Sequence, residues 1–183
     1  MYPRLMLGLA VLAALVFTGA PAAAATAGNS TQTVAGVATR GDGWVPWPTP
    51  PFDIAAGAVC DFAVHGVALV DEVRTKVVAT YPDGSKKREL ATGALIIRLT
   101  NVATGATTVV DASGSAVFTY APDGTVTWFV VGPVLTPLRQ GLSNFPRGLY
   151  AVDGIYRIVF RPDGFKELTM IHGTVHNVCG DLD

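Results

Sequence analysis

The sequence has little charge, and the charge it has is balanced. It contains 13 lysines and arginines and 14 aspartates and glutamates, so the net charge at neutral pH is −1. A protein that binds nucleic acid through a basic field needs a clear excess of positive charge, so this class of function is excluded. Disorder requires few apolar residues and much charge. Here half of the residues are hydrophobic and 15% are charged, which excludes a disordered chain.

Familiar reaction motifs are also missing. The chain has no Gly-x-Ser-x-Gly elbow, no His-Glu-x-x-His, no phosphate-binding loop, no Cys-x-x-Cys and no dinucleotide fingerprint. Its glutamates are Glu72, Glu89 and Glu167, and most of its aspartates lie in turn-like segments, where the carboxylate bonds the local backbone. We therefore predict no catalytic residue and no cofactor.

Long apolar runs are absent except at the start of the chain. Arg4 precedes the unbroken apolar stretch 5–17, and small residues follow at 21–25. This order is typical of a secretory signal peptide with its cleavage site. The stretch is too short to cross about 30 Å of hydrocarbon as a helix. We therefore predict that residues 1–25 are removed, that the mature chain is secreted, and that it has no membrane span.

Cysteine is scarce, since the chain contains Cys60 and Cys179 alone. In the oxidising compartment that export implies, a single well-separated pair predicts a disulfide and not redox or metal chemistry. The chain-entropy relation gives a loop of about 120 residues a stabilisation of close to 5 kcal/mol, as an upper figure.

Residues 26–58 are predicted to form an extended N-terminal segment. Four prolines lie in 44–52, where they fix φ and remove backbone donors, so neither a helix nor a central strand is expected there. Trp44 and Trp47 belong to this segment. They are either part of a strap that packs on the domain or an aromatic surface for a glycan or a protein partner.

From residue 59 to residue 183 the dominant pattern is a period of two. Apolar and polar residues alternate through 115–120, 126–130 and 156–161, which is typical of half-buried β-strands. No segment of ten or more residues shows a clear helical stripe. This part of the chain is therefore predicted to be all-β.

Three Pro-Asp-Gly tripeptides predict hairpins between these strands. They stand at 82–84, 122–124 and 162–164, and each suits a three-residue loop with a bulge. The second loop predicts the pairs Ala121–Thr125, Tyr120–Val126, Phe118–Trp128 and Ala116–Val130, with the apolar members of the last three on one face. The third loop predicts the pairs Arg161–Phe165, Ile158–Leu168 and Tyr156–Met170.

Together these features predict a single antiparallel meander barrel of about eight strands. Gly93, Gly132 and Gly173 would allow the bends that closure requires. In a closed barrel the first and last strands are neighbours, and the bridge between Cys60 and Cys179 would lie there.

A fixed order of short features runs from residue 60 to residue 182. It consists of Cys60-Asp61-Phe62, Tyr81-Pro82-Asp83-Gly84, Thr100-Asn101-x-x-Thr104-Gly105, Ser113-Gly114, Gly148-Leu149, and Val178-Cys179 ahead of Leu182. This order resembles a group of small exported actinobacterial proteins of uncharacterised function, with a calycin-like or allene-oxide-cyclase-like β-barrel pattern. The resemblance implies export and a barrel fold. It carries no catalytic residue over, because turn glycines and the cysteine pair make up most of it.

Such an exported barrel is expected to bind a small apolar ligand or a cell-surface component without catalysing a reaction. The candidate ligand-binding residues are the aromatic residues Phe118, Trp128, Tyr156, Phe160 and Phe145. The last of these lies in 133–150, which we expect to be a long connection across one mouth of the barrel, as a lid or a plug.

Two other functions stay open at this point. A cyclase or isomerase would need a shaped apolar cavity and one or two polar groups, for which His172, Tyr156 and Arg98 are the candidates. A structural envelope component would need no cavity. An interior filled by side chains would exclude the ligand-binding and enzymatic alternatives in their barrel form.

The three histidines are the one arrangement that suggests a metal. If Cys60 pairs with Cys179 across antiparallel strands, His65 lies between His172 and His176, close enough for zinc or copper. The third hairpin instead puts His172 on the core face, and both registers hold only with a bulge in the last strand, which we place at Gly173. That bulge would separate the histidines. We therefore predict surface or hydrogen-bonded histidines and no metal site.

Overall fold

The computed structural model describes residues 42–183. The signal peptide predicted at 1–25 and the first part of the segment predicted at 26–58 lie outside the described residues. Within residues 42–183, no helix has the length and apolar character needed to cross a membrane.

The described residues form twelve β-strands and one short 3₁₀-helix. In chain order they are β1 Val45–Pro46, β2 Phe52–Ile54, β3 Val64–Asp71, β4 Arg74–Thr80, β5 Lys86–Thr92, β6 Leu95–Asn101, β7 Thr107–Asp111, β8 Ser115–Tyr120, β9 Val126–Val131, β10 Val134–Leu138, β11 Gly148–Phe160, β12 Lys166–Asn177 and the 3₁₀-helix Val178–Asp181. The predicted all-β fold class is confirmed.

These strands make two antiparallel sheets. The larger has eight strands in the order β1-β4-β5-β8-β9-β11-β10, with β12 on the other edge of β11. The smaller has the order β2-β3-β6-β7. The 13 residues of β11 are enough for β10 to pair with its first part and β9 with its second.

The prediction of a single closed meander barrel is wrong, because strands bend from one sheet into the other. β3 leads into β4 through 72–73, and β5 leads into β6 through 93–94. The Glu72 backbone N–H donates to the Ala94 carbonyl at 2.8 Å, so the two-stranded ribbon stays paired through its bend. Gly93 permits the bend with a φ of 140°, and a Cβ there would lie 2.2 Å from the Glu72 carbonyl oxygen. One ribbon thus serves both sheets.

Neither sheet closes on itself, because both end in edge strands. β7 is an edge of the smaller sheet and β10 an edge of the larger one. β10 contains Pro137. Proline has no backbone N–H to offer a further strand, which is why it is confined to edge strands. The expectation of a connection over 133–150 is corrected too, since β10 occupies part of it and 139–147 is the loop.

All three Pro-Asp-Gly hairpins form as predicted. Their closing backbone hydrogen bonds join residues 81 and 85, 121 and 125, and 161 and 165, at 2.8–2.9 Å. The predicted registers are confirmed for Phe118–Trp128 in the second hairpin and Ile158–Leu168 in the third, together with the neighbouring pairs. In each loop the aspartate Oδ1 accepts the backbone N–H two residues later at 2.9 Å, which is the local bonding expected of Asp in a turn.

The predicted disulfide is confirmed, although its setting differs from the expected one. Cys60 and Cys179 are bonded, with their Cα atoms 5.5 Å apart. Cys60 lies in the turn before β3, and Cys179 lies in the 3₁₀-helix after β12. The first and last long strands are not paired, because β3 pairs with β2 and β6. The bridge therefore joins a turn and the 3₁₀-helix beside one apolar cluster that contains Val64, Leu99 and Leu149.

Residues 47–54, here called the strap, run from the edge of one sheet to the edge of the other. The preceding strand β1 pairs with β4, and the strap ends in β2, which pairs with β3. Between them the Trp47 N–H donates to the Val73 carbonyl, and the Thr49 N–H donates to the Asp71 carboxylate. Trp47 packs its ring edge-on against Phe118. The alternative of a strap packed on the domain therefore describes Trp47 better than a free aromatic surface.

Candidate functional site

A cavity of about 500 Å³ lies between the two sheets beneath the strap. Its walls are almost entirely apolar. The larger sheet contributes Ala91, Ala116, Phe118 and Trp128, and the smaller sheet contributes Leu95 and Ile97. Since the strap forms a further wall, the cavity involves all three parts of the described fold.

Small side chains create this space. Ala91 on β5 pairs directly with Ala116 on β8, and both face the cavity. Ala112 and Gly114, between β7 and β8, line it as well. A Cβ on Gly114 would lie 2.4 Å from the Pro133 carbonyl oxygen, so the bend at this point requires glycine. Larger residues at the alanine positions would fill the space.

The strap closes one side of the cavity. Trp47 stands with its ring centroid 5.6 Å from that of Phe118 and is 45% exposed, so it forms the outer part of the wall. Phe52 covers the interior further along, and its ring packs so closely on β3 that a Cβ at Gly66 would lie 2.2 Å from it. The strap therefore packs closely against both sheets through the side chains of Trp47 and Phe52.

Asp53 is the one cavity-lining residue, within 42–183, whose side chain is charged. Its neighbours Phe52 and Ile54 pack against the core. Because successive residues of a strand point to opposite faces, the Asp53 carboxylate lies on the other face of the β2–β3 pair. There it forms a hydrogen bond of 2.7 Å with Nδ1 of His65. No charged group of the described lining therefore faces the cavity.

Of the five predicted ligand-binding residues, two line the cavity. Phe118 and Trp128 form adjacent parts of its wall, with ring centroids 4.6 Å apart. Phe160 lies behind Trp128, at a centroid distance of 4.7 Å. Tyr156 is fully buried, and its hydroxyl donates to the Val152 carbonyl. Phe145 packs against Tyr150. The last three belong to a second apolar cluster that fills the interior beyond the cavity.

The sequence reasoning missed a buried carboxylate beside the cavity. Glu89 is 4% exposed, on the same face of β5 as Ala91 and directly opposite Phe118. Its carboxylate accepts hydrogen bonds from Lys86 Nζ at 2.8 and 3.0 Å and from the Tyr120 hydroxyl at 2.6 Å. The Tyr81 hydroxyl donates to the Tyr120 carbonyl. This polar network closes the interior at the end where the first two Pro-Asp-Gly turns lie.

The pKa values in this network follow from its hydrogen bonds. Burial by itself would raise the pKa of Glu89, but hydrogen bonds from Lys86, Tyr120 and Thr75 outweigh it and hold the pKa below its ordinary value. Burial and the neighbouring carboxylate raise the pKa of the Tyr120 hydroxyl. Glu89 is thus an ionised acceptor in the folded protein. The register of the first hairpin, extended along β5, puts Glu89 on the same face as Ala91. This register was the signal that could have placed Glu89 in the interior.

The structure does not bring the three histidines together. His65 lies on β3 beside Asp53, whereas His172 is exposed on β12 opposite Ile155. His176 bonds Asp181 through Nε2 at 2.8 Å. The register that placed His65 between His172 and His176 is therefore wrong, because β3 and β12 belong to different sheets. Among residues 42–183, no group of three or more His, Cys, Asp or Glu could hold a metal ion.

The bulge invoked for the last strand exists, but at another residue. His172 pairs with Ile155, and Met170 pairs with Tyr156, so Ile171 is the extra residue of β12. Gly173 pairs regularly with Gly154, and a Cβ on it would lie 2.0 Å from the Asp153 carbonyl oxygen. The glycine is required by this close approach, and the bulge turns His172 away from the core.

The three residues considered for a cyclase do not converge either. His172 is exposed on β12, Arg98 is exposed on β6, and the buried Tyr156 hydroxyl is bonded to a backbone carbonyl. None of them lines the cavity.

Comparisons with protein-family models, with curated proteins and with solved structures found no match to this chain.

Proposed function

We propose that this protein is an exported, non-enzymatic binding protein for a small apolar ligand, which it holds in the cavity between its sheets. The observation that carries the proposal is the cavity itself. Ligand pockets typically measure about 300–1,000 Å³ and have mostly apolar walls. At about 500 Å³, the cavity found here lies within that range.

The walls also define the chemistry of the ligand. Burying a charge without a partner is strongly unfavourable, and no charged side chain of the described lining faces the cavity. The buried part of the ligand is therefore an uncharged hydrocarbon or aromatic group. Aromatic groups would pack well beside Phe118 and Trp128.

Export is part of the same proposal. It is supported by the signal-like segment 1–25 and by the disulfide, since disulfides persist in oxidising compartments. The resemblance to small exported actinobacterial proteins with a calycin-like pattern is proposed on the motifs named above, from Cys60 to Leu182.

A direct test is native mass spectrometry of the protein recovered from culture medium. We expect an adduct of a few hundred daltons that disappears from the spectrum of the denatured protein. A bare native mass, combined with no binding of the uncharged fluorophore N-phenyl-1-naphthylamine in solution, would contradict the proposal.

Filling the cavity should weaken binding. Ala116→Phe places a ring in the space beside Ala91, and we expect it to weaken binding of N-phenyl-1-naphthylamine by about tenfold or more, since tenfold corresponds to only about 1.4 kcal/mol of lost contact. Fluorescence titration measures this affinity.

The matched control is Val117→Phe, the next residue of the same strand, which points to the outer face of the larger sheet. It should bind the fluorophore like the unmodified protein. Equal affinities for both variants would place the binding site outside the cavity. Circular dichroism should show both variants folded.

A further inference from the structure

We propose that the outer face of the eight-stranded sheet is a docking surface for an anionic lipid membrane. The surface is defined by Lys76, Arg88, Val117, Phe129 and Arg157. This inference is independent of the cavity and goes beyond ligand binding.

The sheet register aligns most of these residues in one row. Lys76 on β4 pairs with Leu90, Leu90 with Val117, Val117 with Phe129, and Phe129 with Arg157 on β11. Residues directly opposite each other in paired strands point to the same face. At about 4.8 Å per strand, the row spans roughly 19 Å from Lys76 to Arg157. A cation therefore stands at each end and apolar side chains stand between them.

Neighbouring rows extend the same pattern. In one, Val131 pairs with Ile155 on the apolar side of the surface. Phe129, Val131 and Ile155 are 44%, 52% and 37% exposed, so large apolar side chains here lie in contact with solvent. In the other row, Arg88 on β5 pairs with Thr119 on β8 and adds a cation.

Cations outnumber acidic residues on this face, which also carries the exposed Asp153 on β11. Lys76 and Arg88 form no ion pair with any residue of 42–183, and the acidic residue on the outer side of β12, Glu167, is already shared by Arg157 and Arg161. The whole chain has a net charge of −1, so a face on which cations are in excess differs from the average of the chain. Two copies of such a face would repel each other, which makes a second copy of the chain the wrong occupant.

An anionic bilayer satisfies both halves of the pattern. Its negative surface potential attracts lysine and arginine side chains, while the boundary between headgroups and acyl chains accepts exposed apolar residues. A soluble polyanion would pair with the cations but would leave Phe129 and its neighbours in water. The exposed apolar row therefore favours the lipid surface over a polyanion.

The experiment is co-sedimentation of the disulfide-bonded protein with vesicles of phosphatidylcholine containing phosphatidylglycerol. We expect binding that increases with the phosphatidylglycerol fraction and falls with added salt. Lys76→Gln/Arg88→Gln should lower the partition coefficient about 30-fold, because each cation near the surface contributes about fivefold. Phe129→Ser should weaken binding as well.

The control removes the same charge elsewhere. Arg98→Gln/Arg139→Gln changes two exposed arginines outside this face and should bind within about twofold of the unmodified protein. No binding to anionic vesicles, or an equal loss in both double variants, would overturn the proposal. Tight binding to polyphosphate that is unaffected by Phe129→Ser would overturn it in favour of a polyanion.

Discussion

Cys60→Ala/Cys179→Ala should lower the free energy of unfolding by about 4–5 kcal/mol, because the bridge closes a long loop in the unfolded chain. The two cysteines are 119 residues apart in sequence. Natural domains have about 5–15 kcal/mol of stability in total, so this loss is a large share of it. Urea denaturation followed by tryptophan fluorescence measures the change.

Reduction of the unmodified protein separates the cross-link from the packing of the cysteine side chains. Cys60 is 2% exposed among apolar neighbours, so the alanine variant loses some packing that the reduced protein keeps. We expect the reduced protein to be destabilised slightly less than the double variant. A loss below about 1 kcal/mol in both would show that the bridge constrains the unfolded chain little.

The position of the bridge explains why its loss should affect the cavity as well. Cys179 lies in the 3₁₀-helix that follows β12, and the buried Asn101 Nδ2 donates to the Leu182 carbonyl just beyond it. Leu182, Val64 and Leu149 share one apolar cluster, and Leu149 also lines the cavity. The disulfide thus fixes the end of the chain against the wall of the proposed site.

The hairpins could be predicted from sequence because their signals are local. Pro-Asp-Gly fixes the loop, and the loop fixes each pair that follows, so Phe118 opposite Trp128 required no knowledge of the rest of the chain. The two sheets could not be predicted in this way. A period of two continues through a bend, and nothing at Glu72 or Gly93 shows that the ribbon enters a second sheet there.

A bulge explains why the register counted from the third hairpin puts His172 on the wrong face. One extra residue at Ile171 reverses the faces of all later residues of β12, so counting from the hairpin placed His172 on the core face although it is exposed.

The cavity could not be predicted from the sequence. It depends on Ala91 meeting Ala116 across two strands, and alanine carries no signal of its own in a sequence.

Replacing Glu89 should have the second large effect. Glu89→Ala removes a buried acceptor and leaves the Tyr120 hydroxyl without its partner, and we expect a loss of about 3 kcal/mol in the free energy of unfolding at neutral pH. The matched control is Glu167→Ala on β12, whose carboxylate is a third exposed in its pairs with two arginines. Exposed pairs contribute little, so about 1 kcal/mol or less is expected there.

The pH dependence of stability tests the same network through its charge. The pKa of Glu89 is lower in the folded protein than its ordinary value of 4.5, so its ionised form stabilises the fold above that pH. As the pH falls through the lowered folded-state pKa, this contribution is lost. Glu89→Gln keeps the shape but not the charge, so it should be less stable than the unmodified protein at neutral pH, with a difference that shrinks in acid. A difference that stays constant from neutral pH to below the ordinary value would show that Glu89 acts through its shape alone.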